Sequence, residues 1–443
     1  MSEAIATDMR IAPETGTKRV FAWVWLSQLI SVTGSSLTGF AAGVWIFQQT
    51  GSVLDYSLLV ACAAAPTLVV APWAGAWVDR MDRRWVMIAA RSGAAVCTAT
   101  IGVLLWSAHL EIWQVLPLYA LAAICEAFQR PAFLAAVTTV LPKERLGRAS
   151  GMTQLAYAVP MLIAPLLSAF LLGVIGITGV IALDLTCFAI STVVLLAVRF
   201  PQPITRQQPG SDRRSSLKEF GEALAFIGQR RSLKLQLAYF AFEKFLTCMA
   251  VVLFTPFVLA LYSAQALGTI LTIAGLGMLA GSLVMSAWGG PQRRVLGILV
   301  FDMLLGAAVL VAGVWTSIPL LTACAFVVMF CRPVVAGCDQ TIWQHKVLPA
   351  LHGRVFALRN FLVTAAVPLA AIVAGLVTEH FFKPWMMPGG LLANSAGVWL
   401  GVGPGRGVGL LFVVVGALTM VMAGAALLHP AFRQLEDEVP DAH

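Results

Sequence analysis

The chain has 443 residues, 59% of them hydrophobic and 11% charged, with a mean hydropathy of +0.86. A soluble chain of this length carries about 25% charged residues, so a large soluble domain is excluded and a polytopic membrane protein is indicated. The net charge of +8 does not point to nucleic acid, because the basic residues collect in short loops between apolar runs, the positive-inside pattern.

Residues 1–19 form a polar tail carrying Glu3, Asp8 and Glu14, unlike a cleaved signal peptide. A membrane span needs about 20 mostly apolar residues. Twelve windows qualify, at 20–46, 54–77, 85–107, 112–136, 150–173, 176–199, 235–262, 265–288, 295–314, 317–340, 355–379 and 408–428. They group as an N-terminal six-helix bundle (20–200), a linker (201–234), a C-terminal six-helix bundle (235–428) and a tail (429–443). The fold expected is all-α. In the linker Leu217, Phe220, Leu224 and Ile227 recur at helical spacing among charges, which predicts a short amphipathic helix on the membrane face or a simple tether.

The basic residues set the orientation. With an internal N-terminus, only Lys383 and Arg406 of the 29 fall outside, so both termini are expected in the cytoplasm. The loop between spans eleven and twelve, 380–407, holds seven glycines and three prolines and predicts an ordered, apolar external cap or a partly re-entrant loop. Its Gly403-Pro404-Gly405-Arg406-Gly407 run reads as a tight turn or as an anion site with exposed backbone amides. The eight cysteines all lie in apolar runs without ligand spacing, so neither a disulfide frame nor a metal site is expected.

Two cassettes recur in the same order in both halves. Ala76-Trp77 followed by Arg83-Arg84 returns as Ala287-Trp288 and Arg293-Arg294. Arg130-Pro131, Val140-Leu141-Pro142 and Gly147-Arg148 return as Arg332-Pro333, Val347-Leu348-Pro349 and Gly353-Arg354. A parallel duplication of membrane spans is the mark of a secondary transporter.

The run Gly75-x-Trp77-x-Asp79-Arg80-x-x-Arg83-Arg84 resembles the loop after the second helix in the major facilitator superfamily, with Trp77 in place of Leu and Asp82 in place of the inner Gly. Thr50-Gly51-Ser52, Leu183-Asp184, Trp288-Gly289-Gly290-Pro291 and Gly353-Arg354-Val355-Phe356-Ala357 are similar to its drug–proton antiporters, the branch of the macrolide pumps and the enterobactin exporter. The antiporter motif Gly-Pro-x-x-Gly-Gly is matched only by Ala164-Pro165-Leu166-Leu167-Ser168-Ala169. The resemblance implies twelve helices, a cavity lined by helices one, four, seven and ten, and a gate built from Gly75, Asp79, Arg80, Arg83, Arg84, Gly353 and Arg354. Asp79 is expected to meet Arg354 or a nearby helix N-terminus when the cytoplasmic side is closed.

Ionisable groups inside a bilayer are costly and therefore candidates for function. Glu243 and Glu126, then Asp184 and Asp339, are the proton-coupling candidates. Glu243 ranks first because Tyr239, Phe240, Leu246 and Thr247 occupy its i±3 and i±4 positions, whereas Arg130 stands four residues after Glu126 and can neutralise it. Asp184 reads as a hydrated helix end and Asp339 as solvated near the cytoplasm. Arg91 and Asp302, at equivalent repeat positions, read as packing or gate residues. Cavity candidates are Gln28, Ser31, Ser35, Phe128, Arg130, Tyr157, Phe240, Lys244, Phe254, Arg332 and Phe361.

These residues lead to an expected proton-coupled exporter of an amphipathic small molecule, a drug, siderophore or peptide natural product, working by alternating access. The alternatives are an importer or lysophospholipid flippase of the same fold, or a membrane receptor or assembly partner without transport. No P-loop pattern and no nucleophile–base constellation occurs. The expectation is therefore no enzyme and no cofactor, with a proton gradient as energy source. The expected partners are membrane lipid, protons and a small-molecule substrate, without nucleic acid, for a monomer in a bacterial inner membrane.

Overall fold

A computed structural model of the chain describes residues 14–78, 80–140, 146–198, 221, 224–347 and 351–429. The long helices are Glu14–Thr50, Val53–Val78, Arg83–Trp106 and Ile112–Val140 for spans one to four, and Leu146–Ala197 for spans five and six. Arg231–Leu261, Ala264–Trp288, Arg294–Val314, Ile318–Lys346, His352–Val377 and Arg406–Leu428 follow as spans seven to twelve. Among the described residues, eleven helices are long and apolar enough to cross a membrane.

The count of eleven includes one that must cross twice. Leu146–Ala197 has 52 residues, about 78 Å of helix against a hydrocarbon core of about 30 Å. Gly176 breaks it with φ 66° and ψ −178°, a conformation open to residues without a Cβ. Ala164 and Val180, on either side of the break, share one buried cluster with Leu37 and Ala41.

Local chemistry explains the ends. Asp82, the departure from the family's inner Gly, caps span three: its carboxylate accepts from the amide of Arg84 at 2.9 Å. Arg83 then donates to the carbonyl of Ala135 at 2.8 Å, and Arg84 to the carbonyls of Leu195 and Leu196. The basic pair thus ties the start of span three to spans four and six, with Arg84 serving two carbonyls of the last turn of span six that lack helical donors. In the second half Gly289 caps span eight in the left-handed conformation, and Arg294 donates to its carbonyl.

The chain divides into two compact units: Met1–Ala41, Val69–Ala164 and Leu171–Gln207 in one, and Ala42–Leu68, Pro165–Phe170 and Gln208–His443 in the other. The first is centred on Phe21, Met87, Phe133 and Leu195. In the second, span ten packs on eight and nine, twelve on nine, and eleven on seven. A Cβ at Gly281 would stand 2.2 Å from the carbonyl oxygen of Phe330, and one at Gly277 2.5 Å from that of Phe326. Backbone meets backbone there, the small-residue packing that lipid-buried helices use in place of a hydrophobic drive. The same unit seats the first turns of span two on span eleven, where Ser57 and Leu54 lie against Gly375.

The last long loop begins as an extension of span eleven. Span eleven does not stop at 379: Thr378–Phe382 continues it as a π turn and Lys383–Trp385 as a helical turn. The short helix Ala396–Leu400 follows, and Gly401, Gly403 and Gly405 turn the chain into span twelve at positive φ.

The linker is described only in its last part. Leu217 and Phe220 lie outside the described residues. Downstream, Phe226 and Ile227 do not face the membrane surface; they are buried against Trp343, Val355 and Leu358, with Arg230 stacked 3.8 Å over the Phe226 ring. Protein side chains on spans ten and eleven offer this apolar face a packed partner, so only Leu224 stays exposed.

Candidate translocation site

The C-terminal unit carries the densest set of intramembrane charges. Span seven supplies Tyr239, Glu243 and Lys244. Glu243 is 6% exposed, and the hydroxyl of Thr247 donates to it at 2.7 Å. Adjacent residues on a helix point about 100° apart, and Glu243 and Lys244 make no ion pair, either together or with another described residue. Lys244 is half-buried and within electrostatic reach of Glu243, Asp302 and Arg332. Arg332 on span ten lies 3.9 Å from the sulfur of Met329 and makes no ion pair among the described residues.

Asp302 is the residue that the sequence undervalued. On span nine it is 0% exposed; one carboxylate oxygen accepts from the Tyr239 hydroxyl at 2.7 Å and the other has no partner. Tyr239 stands one turn before Glu243, so the bond carries a buried acid from span nine to the helix that holds the first-ranked acid. A tyrosine four residues before a glutamate was visible; which helix it would meet was not.

Asp339 is a correction. It is 3% exposed and paired with Arg359 of span eleven, not solvated. Gln236 of span seven donates to its second oxygen at 3.2 Å, and Arg359 reaches Gln340 at 2.8 Å. Three helices are tied by one buried ion pair, and Arg359 had drawn no attention in the sequence. Phe240 is a second correction: it lies in the bundle core with Ile298, Leu299 and Val335, edge-on to Tyr239 at 5.8 Å. Phe254 lines a cavity of about 60 Å³ with Ala250, Ala308 and Ala325, too small for ligands that usually occupy roughly 300–1,000 Å³. Phe361 lies on the exposed surface.

In the N-terminal unit the polar stripe of span one is real. Gln28 is 1% and Ser31 6% exposed, with Ser35 half-buried. Gln28 donates to the Tyr157 hydroxyl at 3.2 Å and accepts from Arg91 at 2.7 Å. Arg91, 2% exposed, also donates to Ser191 and reaches Ser27 at 3.4 Å. The Gln129 amide, set by its neighbours, turns its oxygen to Arg91 Nε at 2.9 Å and its nitrogen to the Met87 carbonyl at 3.1 Å. Arg91 therefore joins spans one, three, four and six through neutral partners.

Glu126 and Arg130 do not neutralise each other. Arg130 instead sits 5.4 Å over the ring of Tyr157, and both charged side chains are exposed on the unit's surface. The i,i+4 spacing allows a pair, but a cation over an aromatic face is a competing attraction of similar size. Phe128 is half-buried, beside Trp77 at 6.4 Å. Asp184 is not a hydrated helix end: it is 1% exposed, with one oxygen unpartnered and lying where a Cβ on Gly34 would be 2.5 Å away. The glycine of span one lets span six approach closely enough to seal it in.

Of the gate residues, Arg83 and Arg84 act as described above, Gly75 has open space where a side chain would be, and Arg80 is exposed. Gly353 is exposed and Arg354 half-buried on the first turn of span eleven. Asp79, and with it the expected contact to Arg354, lies outside the described residues.

Comparison with known proteins places the chain in a family. The chain is 24% identical over 380 residues to macrolide efflux protein A of Streptococcus pyogenes, covering 85% of this chain and 93% of that protein. It is 25% identical over 378 residues to the multidrug efflux pump Tap of Mycolicibacterium fortuitum, covering 82% and 91%. Among solved structures, a bacterial homologue of the human lysosomal transporter Spinster superposes with a TM-score of 0.69 at 15% identity over 96% of this chain and 98% of the other. The nucleoside transporter NupG gives a TM-score of 0.72 at 10% identity over 92% and 99%. The sequence pattern of the Major Facilitator Superfamily matches residues 24–371, from span one into span eleven. That match runs through both basic turns and both sets of buried charges, so this multi-pass membrane protein belongs to the major facilitator superfamily of transporters.

Proposed function

We propose that the protein exports an amphipathic small molecule, a drug, siderophore or peptide natural product, in exchange for protons entering the cell. It would act as a monomer in a bacterial inner membrane with both termini cytoplasmic. The observation that carries this reading is Glu243, which is buried in span seven, bonded only to Thr247, and without an ion-pair partner among the described residues. An uncompensated carboxylate in low dielectric costs several kcal/mol, and a site that binds and releases a proton in each cycle gives that cost a use. Glu126, which Arg130 does not pair, is the competing carrier. Outward transport of amphipathic compounds is drawn from the relatives, a macrolide efflux protein and a multidrug efflux pump. The half-buried Phe128 and Tyr157 suit such ligands.

The test is flux of a macrolide probe in proteoliposomes under an imposed pH gradient. Glu243→Gln is expected to bind the probe normally and to lose gradient-driven movement. If Glu243→Gln still concentrates the probe while Glu126→Gln does not, span four carries the proton. Gradient-driven flux in both variants overturns the reading.

A further inference from the structure

The turn that opens span twelve leads to a second site. Gly405, left-handed at φ 81°, precedes a helix of 23 residues. The Arg406 amide bonds the carbonyl of Gly403 and the Gly409 amide that of Gly405. Between them the amides of Gly407 and Val408, both buried, belong to the first turn, whose N–H groups lack helical acceptors.

These two residues border a recess of about 230 Å³. Its apolar wall is Phe47, Val53, Pro256 and Ala260; Thr378 and Lys383 supply polar groups. Thr378 is 0% exposed and its hydroxyl has no hydrogen-bond partner among the described residues. The Lys383 ammonium spans 3.2 Å to the Gly51 carbonyl and also bonds Glu379. Glu379 has both oxygens engaged, one by Lys383 and one by the Val53 amide at 3.0 Å. The unused capacity of the recess is therefore donor capacity: two helix-start amides, a buried hydroxyl, and a cation on the rim. The helix macrodipole adds positive potential at the same place. An acceptor-only group satisfies all of these, and an apolar chain suits the opposite wall.

We propose that this recess binds the anionic head, a carboxylate or a phosphate, of an amphipathic molecule whose chain lies on Phe47, Val53, Pro256 and Ala260. The charge bias of the loops assigns it to the outer face. The site stands apart from Glu243 and does not depend on proton coupling. A bilayer lipid and a soluble amphipath share this chemistry, and the experiment separates them.

Full-length protein in neutral detergent is titrated with octanoate and octyl phosphate, with octyltrimethylammonium as the cationic control, by calorimetry. Binding of both anions and not of the cation is expected. Thr378→Val, nearly isosteric, should weaken the anions about five-fold, the loss of one hydrogen bond. Lys383→Gln should weaken them more, and Ala260→Phe, which fills the recess, should abolish binding while the ligand-free protein still melts normally. In nanodiscs, loss of octyl phosphate binding with phosphatidylglycerol but not with phosphatidylcholine identifies a lipid headgroup. Retention in both identifies a soluble amphipath. Equal binding of cation and anions, or unchanged affinity in both Thr378→Val and Ala260→Phe, overturns the proposal.

Discussion

Asp339→Asn separates a structural ion pair from a proton carrier. The substitution keeps size and hydrogen-bonding capacity but leaves the Arg359 charge buried without its counter-ion. Breaking a buried pair costs about 3–5 kcal/mol. Arg359 keeps Gln340 at 2.8 Å and stays 5.7 and 5.8 Å from the rings of Trp343 and Phe356, contacts common to both proteins that leave this cost unchanged. A loss of about 3–5 kcal/mol corresponds to roughly 6–20 °C for a unit of this size. The double variant Asp339→Leu/Arg359→Met removes both charges and is expected to melt within a few degrees of the native protein. The assay is already present in the chain: Cys331 is a buried thiol, so a thiol-reactive fluorophore reports its exposure on heating. If Asp339→Asn melts like the native protein yet abolishes gradient-driven transport, the pair is not structural and Asp339 belongs to the proton path.

Three further outcomes follow from the geometry. Asp302→Asn preserves an acceptor for the Tyr239 hydroxyl and should leave the melting temperature nearly unchanged while lowering gradient-driven flux at least ten-fold; unchanged flux would make Asp302 a packing residue. Gly281→Ala drives a methyl group into the Phe330 carbonyl and is expected to cost about 1–3 kcal/mol or more, read as a lower melting temperature. Gly39→Ala, with nothing within 4 Å of the new Cβ, should be neutral or stabilising by up to about 1 kcal/mol, and equal effects of the two would refute the close-packing argument. Single-cysteine labelling should reach positions 52, 109 and 388 from outside and position 83 from inside, and labelling of position 388 from the cytoplasm would reverse the orientation.

Much of this protein is written as sums along the chain. The passes through the membrane follow from runs of apolar residues, and the separation of the spans follows from loops too polar to enter lipid. The repeat was visible because Ala-Trp and Arg-Arg flank the same turn twice, and the ordered cap because seven glycines and three prolines between residues 380 and 407 cannot continue a helix. Glu243 could be singled out because its possible local partners are fixed by helical spacing. Which residues meet across helices depends instead on each helix's rotation and depth, set by all its packing faces at once. Glu126 had a basic residue at the right spacing, yet Arg130 turned to Tyr157; Asp184 looked hydrated until the missing side chain of Gly34 let span six close over it. Asp339 found Arg359 on the next span and Asp302 found Tyr239 two spans back, contacts that no periodicity within one helix encodes. Sequence alone therefore determined the spans and their polar inventory, while the tertiary structure decided which buried charges are paired and which stay free to act.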